Sequence, residues 1–260
     1  MLEVAEVDSE DPFRGISFIP DQTKSPGARR TAFREDPHGI LVVGEASVCQ
    51  IARNEGQVIK SGSRVLAEEG RALQFAHSID LPVPAVREVR AVGQGATIVM
   101  DFVDGECLEE AWPLMGADQK RSIAEQVRDI ITTMRQATPN QNTIGACGGP
   151  ARDCRRYADY SGGPFNNEAE FNEFVLDSLQ GTPSLIRSTI SDTFNVDNRI
   201  VFTHGDLSSR NLIVKEGHVQ ALLDWEFSGW YPEYWEYTIF DTRYSKELLT
   251  YQALARWQRP

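Results

Sequence analysis

The chain has 260 residues, 41% of them hydrophobic and 25% charged, a composition ordinary for a globular protein and a length that fits one large domain or two lobes about a cleft. With 38 acidic against 26 basic residues the formal net charge is −12, which argues against a nucleic-acid partner, because phosphate binding needs a basic face, and leaves room for a cationic small substrate. No apolar run approaches the roughly 20 residues needed to cross a bilayer, and the four cysteines, Cys49, Cys107, Cys147 and Cys154, show neither a CxxC pair nor metal-ligand spacing.

From the amino terminus, residues 1–36 mix charge, proline and glycine without sustained periodicity and are expected to form an irregular arm. The first residues, Met1 to Asp11, are acidic where a secretory signal would be basic and then apolar. No membrane partner is expected, and the expected location is the cytoplasm. Three strand-like runs follow at residues 40–43, 47–52 and 57–60. A helix fits residues 65–78 and is stopped by Leu81-Pro-Val-Pro84. Strands at 86–92 and 97–103, joined by Gly93-Gln-Gly95, complete a five-stranded sheet with one helix, and the composition shifts near residue 103.

The remainder reads as mainly helical. Asp118 is the expected N-cap of a helix carrying Ile123, Val127, Ile130, Ile131 and Met134 at helical spacing. Residues 139–165 read as a long loop, and a second amphipathic helix, 168–179, presents Phe171, Phe174, Val175 and Leu179.

The segment that carries chemistry is His204-Gly-Asp206-Leu-Ser-Ser-Arg-Asn211, followed after a hairpin by Asp224-Trp-Glu226. With Val214 facing Val219 across the Lys-Glu-Gly-His turn, Asn211 is expected opposite Leu222, so that an amide oxygen and the Asp224 carboxylate reach one end of the hairpin, where hard oxygen donors can hold Mg²⁺. Asp206 can reach the same place and orient an attacking hydroxyl. Phosphoryl transfer needs positioning and charge neutralisation more than covalent chemistry, and the spacing matches the His, Asp and Asn of a kinase catalytic loop. Upstream, Lys60 ends the third strand-like run, and Glu68 and Glu69 lie in the next helix, the order in which kinase-like folds place a phosphate-holding Lys and its Glu. Periodicity does not choose between the two acids.

With these residues in place the chain resembles the aminoglycoside phosphotransferase and choline kinase family, and is most similar to its fungal branch. The resemblance runs from about residue 40 to 240 and rests on Val201 to Val214, Leu223-Asp-Trp-Glu-Phe-Ser-Gly-Trp-Tyr-Pro232 and Tyr234-Trp-Glu236, with weaker support from Glu69 to Phe75, Pro82-Val-Pro84 and Ile98 to Trp112. It implies an α+β, two-lobed protein-kinase-like fold. Residues 37–102 would be the nucleotide-binding lobe, with an antiparallel five-stranded sheet and one helix. Residues 103–260 would be the mainly helical lobe, with the catalytic hairpin and acceptor pocket. It further implies ATP and Mg²⁺ as cofactors, Asp206 as catalytic base, and Asn211 and Asp224 as metal ligands. Lys60 would touch the nucleotide phosphates with Glu69 as its partner. Met100, Asp101, Phe102 and Val103 would form the adenine-binding hinge, and His204 would buttress the loop.

Two departures stand beside the resemblance. The loop that would cover the phosphates, Gly44-Glu-Ala-Ser47, is not glycine-rich, and only 36 residues follow Asp224, so helices that wall the acceptor pocket are expected to be trimmed. The expected partner is a small-molecule hydroxyl acceptor, cationic ones included, on a monomer or weak dimer. The aromatic run from Trp225 to Tyr237 admits either a cation-binding box or packing. A protein kinase is disfavoured, because neither a DFG nor an APE segment is present; a nucleotide-binding pseudoenzyme or a diverted catalyst on the same fold is the alternative.

Overall fold

The structure is a computed structural model that describes residues 17–18, 34–35, 41–42, 50–54, 56–93, 95–139, 141–154, 160–177, 181–192 and 194–237. The chain divides into two compact units, residues 1–65 with 87–102, and residues 66–86 with 103–260.

The first unit is built from β1 (Ser17–Phe18), β2 (Arg34–Glu35), β3 (Leu41–Val42), β4 (Gln50–Asn54), β5 (Gln57–Gly62), β6 (Val86–Val92) and β7 (Gly95–Asp101). Five of these strands form one sheet in the order β1-β4-β5-β7-β6. The strand count is as expected but the membership is not. The run at 40–43 contributes β3, which pairs with β2 in a separate ribbon, and the edge place is taken by β1 from within the expected irregular arm. Strands of two residues carry no period from which they could be read. The candidate phosphate loop, residues 44–47, lies outside the described residues, as do Cys49 and most of the arm. Along β7, Ala96, Ile98 and Met100 are buried in alternation, the signature of a strand with one face on a core.

The helix expected in the sheet lobe, α1 (Ala67–Ser78), belongs instead to the second unit. The reason lies in its partners. The Nε–H of Arg71 donates to the Cys147 carbonyl at 2.6 Å, and Phe75 meets Phe202 and Trp230 edge-on at ring distances of 4.8 and 5.3 Å.

The rest of the second unit runs β8 (Glu106–Cys107), α2 (Leu108–Ala111), α3 (Ala117–Gln136), β9 (Gly145–Ala146), β10 (Ala151–Arg152), β11 (Ser161–Gly162), α4 (Glu168–Leu176), α5 (Ser184–Ser191), β12 (Ile200–Thr203), β13 (Leu212–Lys215), β14 (His218–Leu222) and β15 (Gly229–Pro232). Helix α3 buries Ile123, Val127, Ile130, Ile131 and Met134, the five residues its periodicity singles out. Its N-cap is Gly116 rather than Asp118; Gln119 accepts the Gly116 N–H at 3.0 Å, and Asp118 pairs with Arg121 in the first turn. Helix α4 is capped by Asn167, whose side chain accepts the Glu170 N–H at 2.9 Å, and its last helical residue is Leu176; Leu179 lies outside the described residues.

The segment expected to be a loop, 139–165, is threaded into the fold. Strand β9 adds to β15, which pairs with β12; β10 pairs with β11, and Ile144 bridges Phe165. Around it lies an aromatic core of Phe171, Phe174, Phe227, Tyr231 and Trp235 with Ile144, Ala151 and Cys154. Trp225, Trp230, Tyr231 and Trp235 are all fully buried, so these four rings are packing and not an open cation box. Burial also pushes the Cys147 thiol up to about 12. No described helix is long and apolar enough to cross a membrane.

Candidate active site

Strand β12 ends at Thr203, paired with Gly229 on β15, and delivers the chain into the loop 204–208. A short 3₁₀ turn, Ser209–Asn211, then feeds β13. The β13–β14 turn places Glu216 and Gly217 at φ +52 and +79, the pair of left-handed residues a two-residue hairpin with the native twist requires.

Val214 faces Val219 as expected, but Ile213 faces Ala221, so the ladder holds a bulge at Gln220. The extra residue shifts the register beyond it. Leu212 takes Leu222, and the Asn211 carbonyl accepts the Leu223 N–H at 2.7 Å, so Asn211 stands opposite Leu223 and not Leu222. Asp224 is therefore the next residue along from Asn211's partner. Asp224 is half-buried and left-handed at φ +63, a conformation that aspartate visits more readily than most residues. Its turn is tied down locally: the Trp225 indole N–H donates to the Leu222 carbonyl at 2.9 Å, and the Ser228 backbone N–H donates to the Trp225 carbonyl at 3.1 Å.

His204 is fully buried, with both ring nitrogens engaged. Nδ1 accepts the Asp206 N–H at 3.2 Å, which assigns the proton to Nε2, and Nε2 donates to the Leu223 carbonyl at 2.9 Å. One imidazole thus ties the backbone of Asp206 to the residue before Asp224. The Asn211 Nδ2 donates to the Asp206 carbonyl at 2.8 Å and lies 3.5 Å from Asp206 Oδ2. Those bonds use the nitrogen end of the amide, which turns Oδ1 into the free acceptor end. An amide oxygen and a carboxylate fit Mg²⁺, which keeps several waters and takes the rest of its octahedron from phosphate oxygens. No cluster of three or more His, Cys, Asp or Glu that could hold a metal ion occurs among the described residues.

Glu236 was not singled out by the sequence. It is buried, and its carboxylate accepts backbone N–H groups from His204 at 2.6 Å, Gly205 at 3.3 Å and Leu207 at 3.4 Å. Burial raises its pKa above the ordinary carboxylate value, against the lowering effect of His204 and of these N–H bonds. A cavity of about 10 Å³, enough for one water, is lined by Glu236, Thr203 and Arg135. The available signal was a lone acid inside Tyr234-Trp-Glu-Tyr237: an acid buried with such neighbours must find donors.

The remaining candidates divide between the units. Lys60 stands on β5 opposite Ile98, and Met100 opposite Val58, so Lys60 and Met100 share one face of the sheet. The Asp101 carboxylate is held by a two-bond fork from Arg87, at 2.6 and 2.7 Å, and the Phe102 N–H donates to the Gly56 carbonyl at 2.8 Å. Val103 and Glu69 belong to the second unit. Of the two acids that periodicity left open, Glu69 is buried on α1, whereas Glu68 pairs with Arg71 at 3.1 Å. The structure therefore joins His204, Asp206, Asn211 and the approach to Asp224 directly, and sets Lys60 and Met100 side by side on the sheet.

No curated protein matches the chain. Among solved structures it is similar to a thermostable mutant of aminoglycoside phosphotransferase APH(4)-Ia in ternary complex with ADP and hygromycin B, at 12% identity and a TM-score of 0.58, covering 84% of this chain and 77% of that one. An aminoglycoside-3'-phosphotransferase of type VIII gives 12% identity and a TM-score of 0.57, with 94% and 86% covered. The macrolide 2'-phosphotransferase MphH from Brachybacterium faecium gives 16% and 0.52, with 88% and 81% covered. At such identities the likeness speaks for the fold. Sequence evidence for kinship is separate: residues 57–258 match the family model APH, described as the phosphotransferase enzyme family. That match spans both the Lys60 strand and the 204–224 block, and this chain belongs to that family.

Proposed function

We propose that the chain is an ATP- and Mg²⁺-dependent phosphotransferase that moves the γ-phosphate to a hydroxyl of a small molecule. The observation that supports this reading is the bonded set His204, Asp206, Asn211 and Leu223, in which one imidazole and one amide tie the backbone of Asp206 to the strand end that precedes Asp224. In this reading Asp206 accepts the hydrogen bond of the acceptor hydroxyl and takes its proton as the oxygen attacks the γ-phosphorus, while the bond to the β-phosphate oxygen breaks and ADP leaves. Asn211 Oδ1 and the Asp224 carboxylate would hold Mg²⁺, which neutralises charge on the phosphate oxygens. Lys60 would hold the phosphates, and Met100, Asp101 and Phe102 would face the adenine.

Structures of similar fold that contain ADP with hygromycin B, or ATP with streptomycin, support an aminoglycoside as acceptor; an amino alcohol or a hydroxylated secondary metabolite is the other class we propose. Placement on the fungal branch rests on the sequence resemblance alone. The test is nucleotide-dependent thermal stabilisation. ATP at a hundred times its dissociation constant adds about 2.7 kcal/mol of stability. We expect this with Mg²⁺ and its loss in Asp224→Ala, whereas Asp206→Asn keeps the shift and loses turnover. A wild-type chain whose melting ignores ATP with and without Mg²⁺ removes the proposal.

A further inference from the structure

The mechanism above does not use Arg152, the most deeply buried arginine among the described residues at 5% exposure. It comes from β10, in the segment the sequence marks as a loop, and it reaches the turn that follows Asp224. Its Nη1–H donates to the Glu226 carbonyl at 3.1 Å, its Nη2 lies 3.9 Å from the Glu226 carboxylate, and its guanidinium covers the Phe227 ring at 5.0 Å. Its own backbone N–H donates to the Tyr231 hydroxyl at 3.3 Å, so both ends of the residue are fixed to the segment 226–231.

Stability alone gives a weak reason for a cation there. A buried ion pair returns little over a well-packed apolar residue, and the 3.9 Å separation from Glu226 is too long for a hydrogen bond. Geometry gives a better one. The Asp224 turn departs from the ladder at φ +63 and needs outside support to hold that conformation. From one side it is supported by the hairpin and His204. From the other, Arg152 of the 144–165 segment supports it, with a planar group that can hydrogen-bond a carbonyl and stack on a ring at once. Lysine, a single point charge without a planar face, does not do both at once.

We infer that Arg152 is a positioning residue for Asp224: it locks residues 226 and 227 and thereby sets the carboxylate two residues earlier for the metal-bound nucleotide. The inference rests on the proposed function. Loss of a group that orients a metal ligand weakens metal affinity by roughly ten- to a hundredfold. The experiment titrates Mg²⁺ at fixed ATP and reads the thermal shift of the full chain. Arg152→Gln is expected to raise the Mg²⁺ concentration for half-maximal shift about tenfold, Arg152→Lys to restore little of it, and Phe227→Leu, which keeps the hydrogen bond and removes the ring, to give a smaller rise in the same direction. If Arg152→Gln fails to fold, Phe227→Leu alone decides. A wild-type shift with an Mg²⁺ requirement unchanged in the variants overturns the inference and leaves the proposed function standing. A wild type with no Mg²⁺-dependent shift removes both.

Discussion

Gly205 lies between the imidazole that braces the loop and the carboxylate proposed as base, at φ +80. A Cβ built there would sit 2.4 Å from the Phe227 carbonyl oxygen and 2.9 Å from its carbon, backbone atoms that cannot swing aside. Gly205→Ala therefore meets two separate costs. The left-handed backbone costs a non-glycine residue about 1–2 kcal/mol, and relieving the overlap by moving the loop or the 224–228 turn costs about 1–3 kcal/mol more. Gly217 provides the control. It has the same sign of φ, +79, but an added Cβ would meet nothing within 4 Å, so Gly217→Ala carries only the first cost. At about 2–4 °C per kcal/mol for a chain of this size, Gly205→Ala should melt about 10 °C below wild type and Gly217→Ala about 4 °C below. The displacement also matters for chemistry: a shift of about 1 Å at a reacting group costs on the order of a hundredfold in rate. Turnover should collapse in the first variant and survive in the second. Scanning calorimetry on the two proteins side by side gives the answer, and equal melting temperatures would falsify the reasoning.

Glu236 gives a pH dependence with opposite signs for stability and activity. Its folded pKa is raised above the ordinary value of 4.5, so the buried anion subtracts stability above the folded pKa, and that penalty is relieved as the pH falls through it. The same protonation weakens the bonds to the 204, 205 and 207 amides. Of the charged groups near it, Arg135 and Glu233 line the adjoining cavity and pair with each other at 2.8 Å. Acidification should thus lower turnover while this group's contribution to the melting temperature rises, and Glu236→Gln should remove that acid limb; an identical pH–rate profile in the variant refutes the assignment. Phe171, with no exposure and the Trp235 ring edge-on at 4.9 Å, should cost about 3–5 kcal/mol on replacement by alanine, read from urea unfolding. A loss under 1 kcal/mol by the same measure, roughly that of a surface change, would show that the aromatic core is not what holds the 144–165 segment.

What could be read in the sequence follows from where the signal was periodic or chemically constrained. Helix α3 showed its five buried residues because they recur at helical spacing from Ile123 to Met134. The hairpin was visible because Glu216-Gly217 is turn chemistry between two apolar runs. The bulge at Gln220 was not, since one extra residue leaves the apolar pattern nearly intact. Strands β9, β10 and β11 are two residues each and announce themselves only through distant partners. Helix α1 looked like part of the sheet lobe because it is adjacent in sequence; its attachment depends on Arg71 meeting carbonyls 76 and 77 residues away, at Cys147 and Gly148. In the 204–224 block the sequence presents Asp206, Asn211 and Asp224 as an ordered set, and the structure bonds Asn211 to Asp206; Glu236 and Arg152 act on backbone atoms, and a backbone atom is the same in every sequence.

The Glu236 clasp has a consequence for the order in which the protein is made. The carboxylate that closes the loop is 32 residues downstream of the His204 amide it receives. At a synthesis rate of about 5–20 residues per second, the loop exists for roughly 2–6 s before its acceptor has been polymerised. During that interval the newborn 204–208 loop has its amides open to water or to a chaperone, and it cannot take its folded form until residue 236 has been translated.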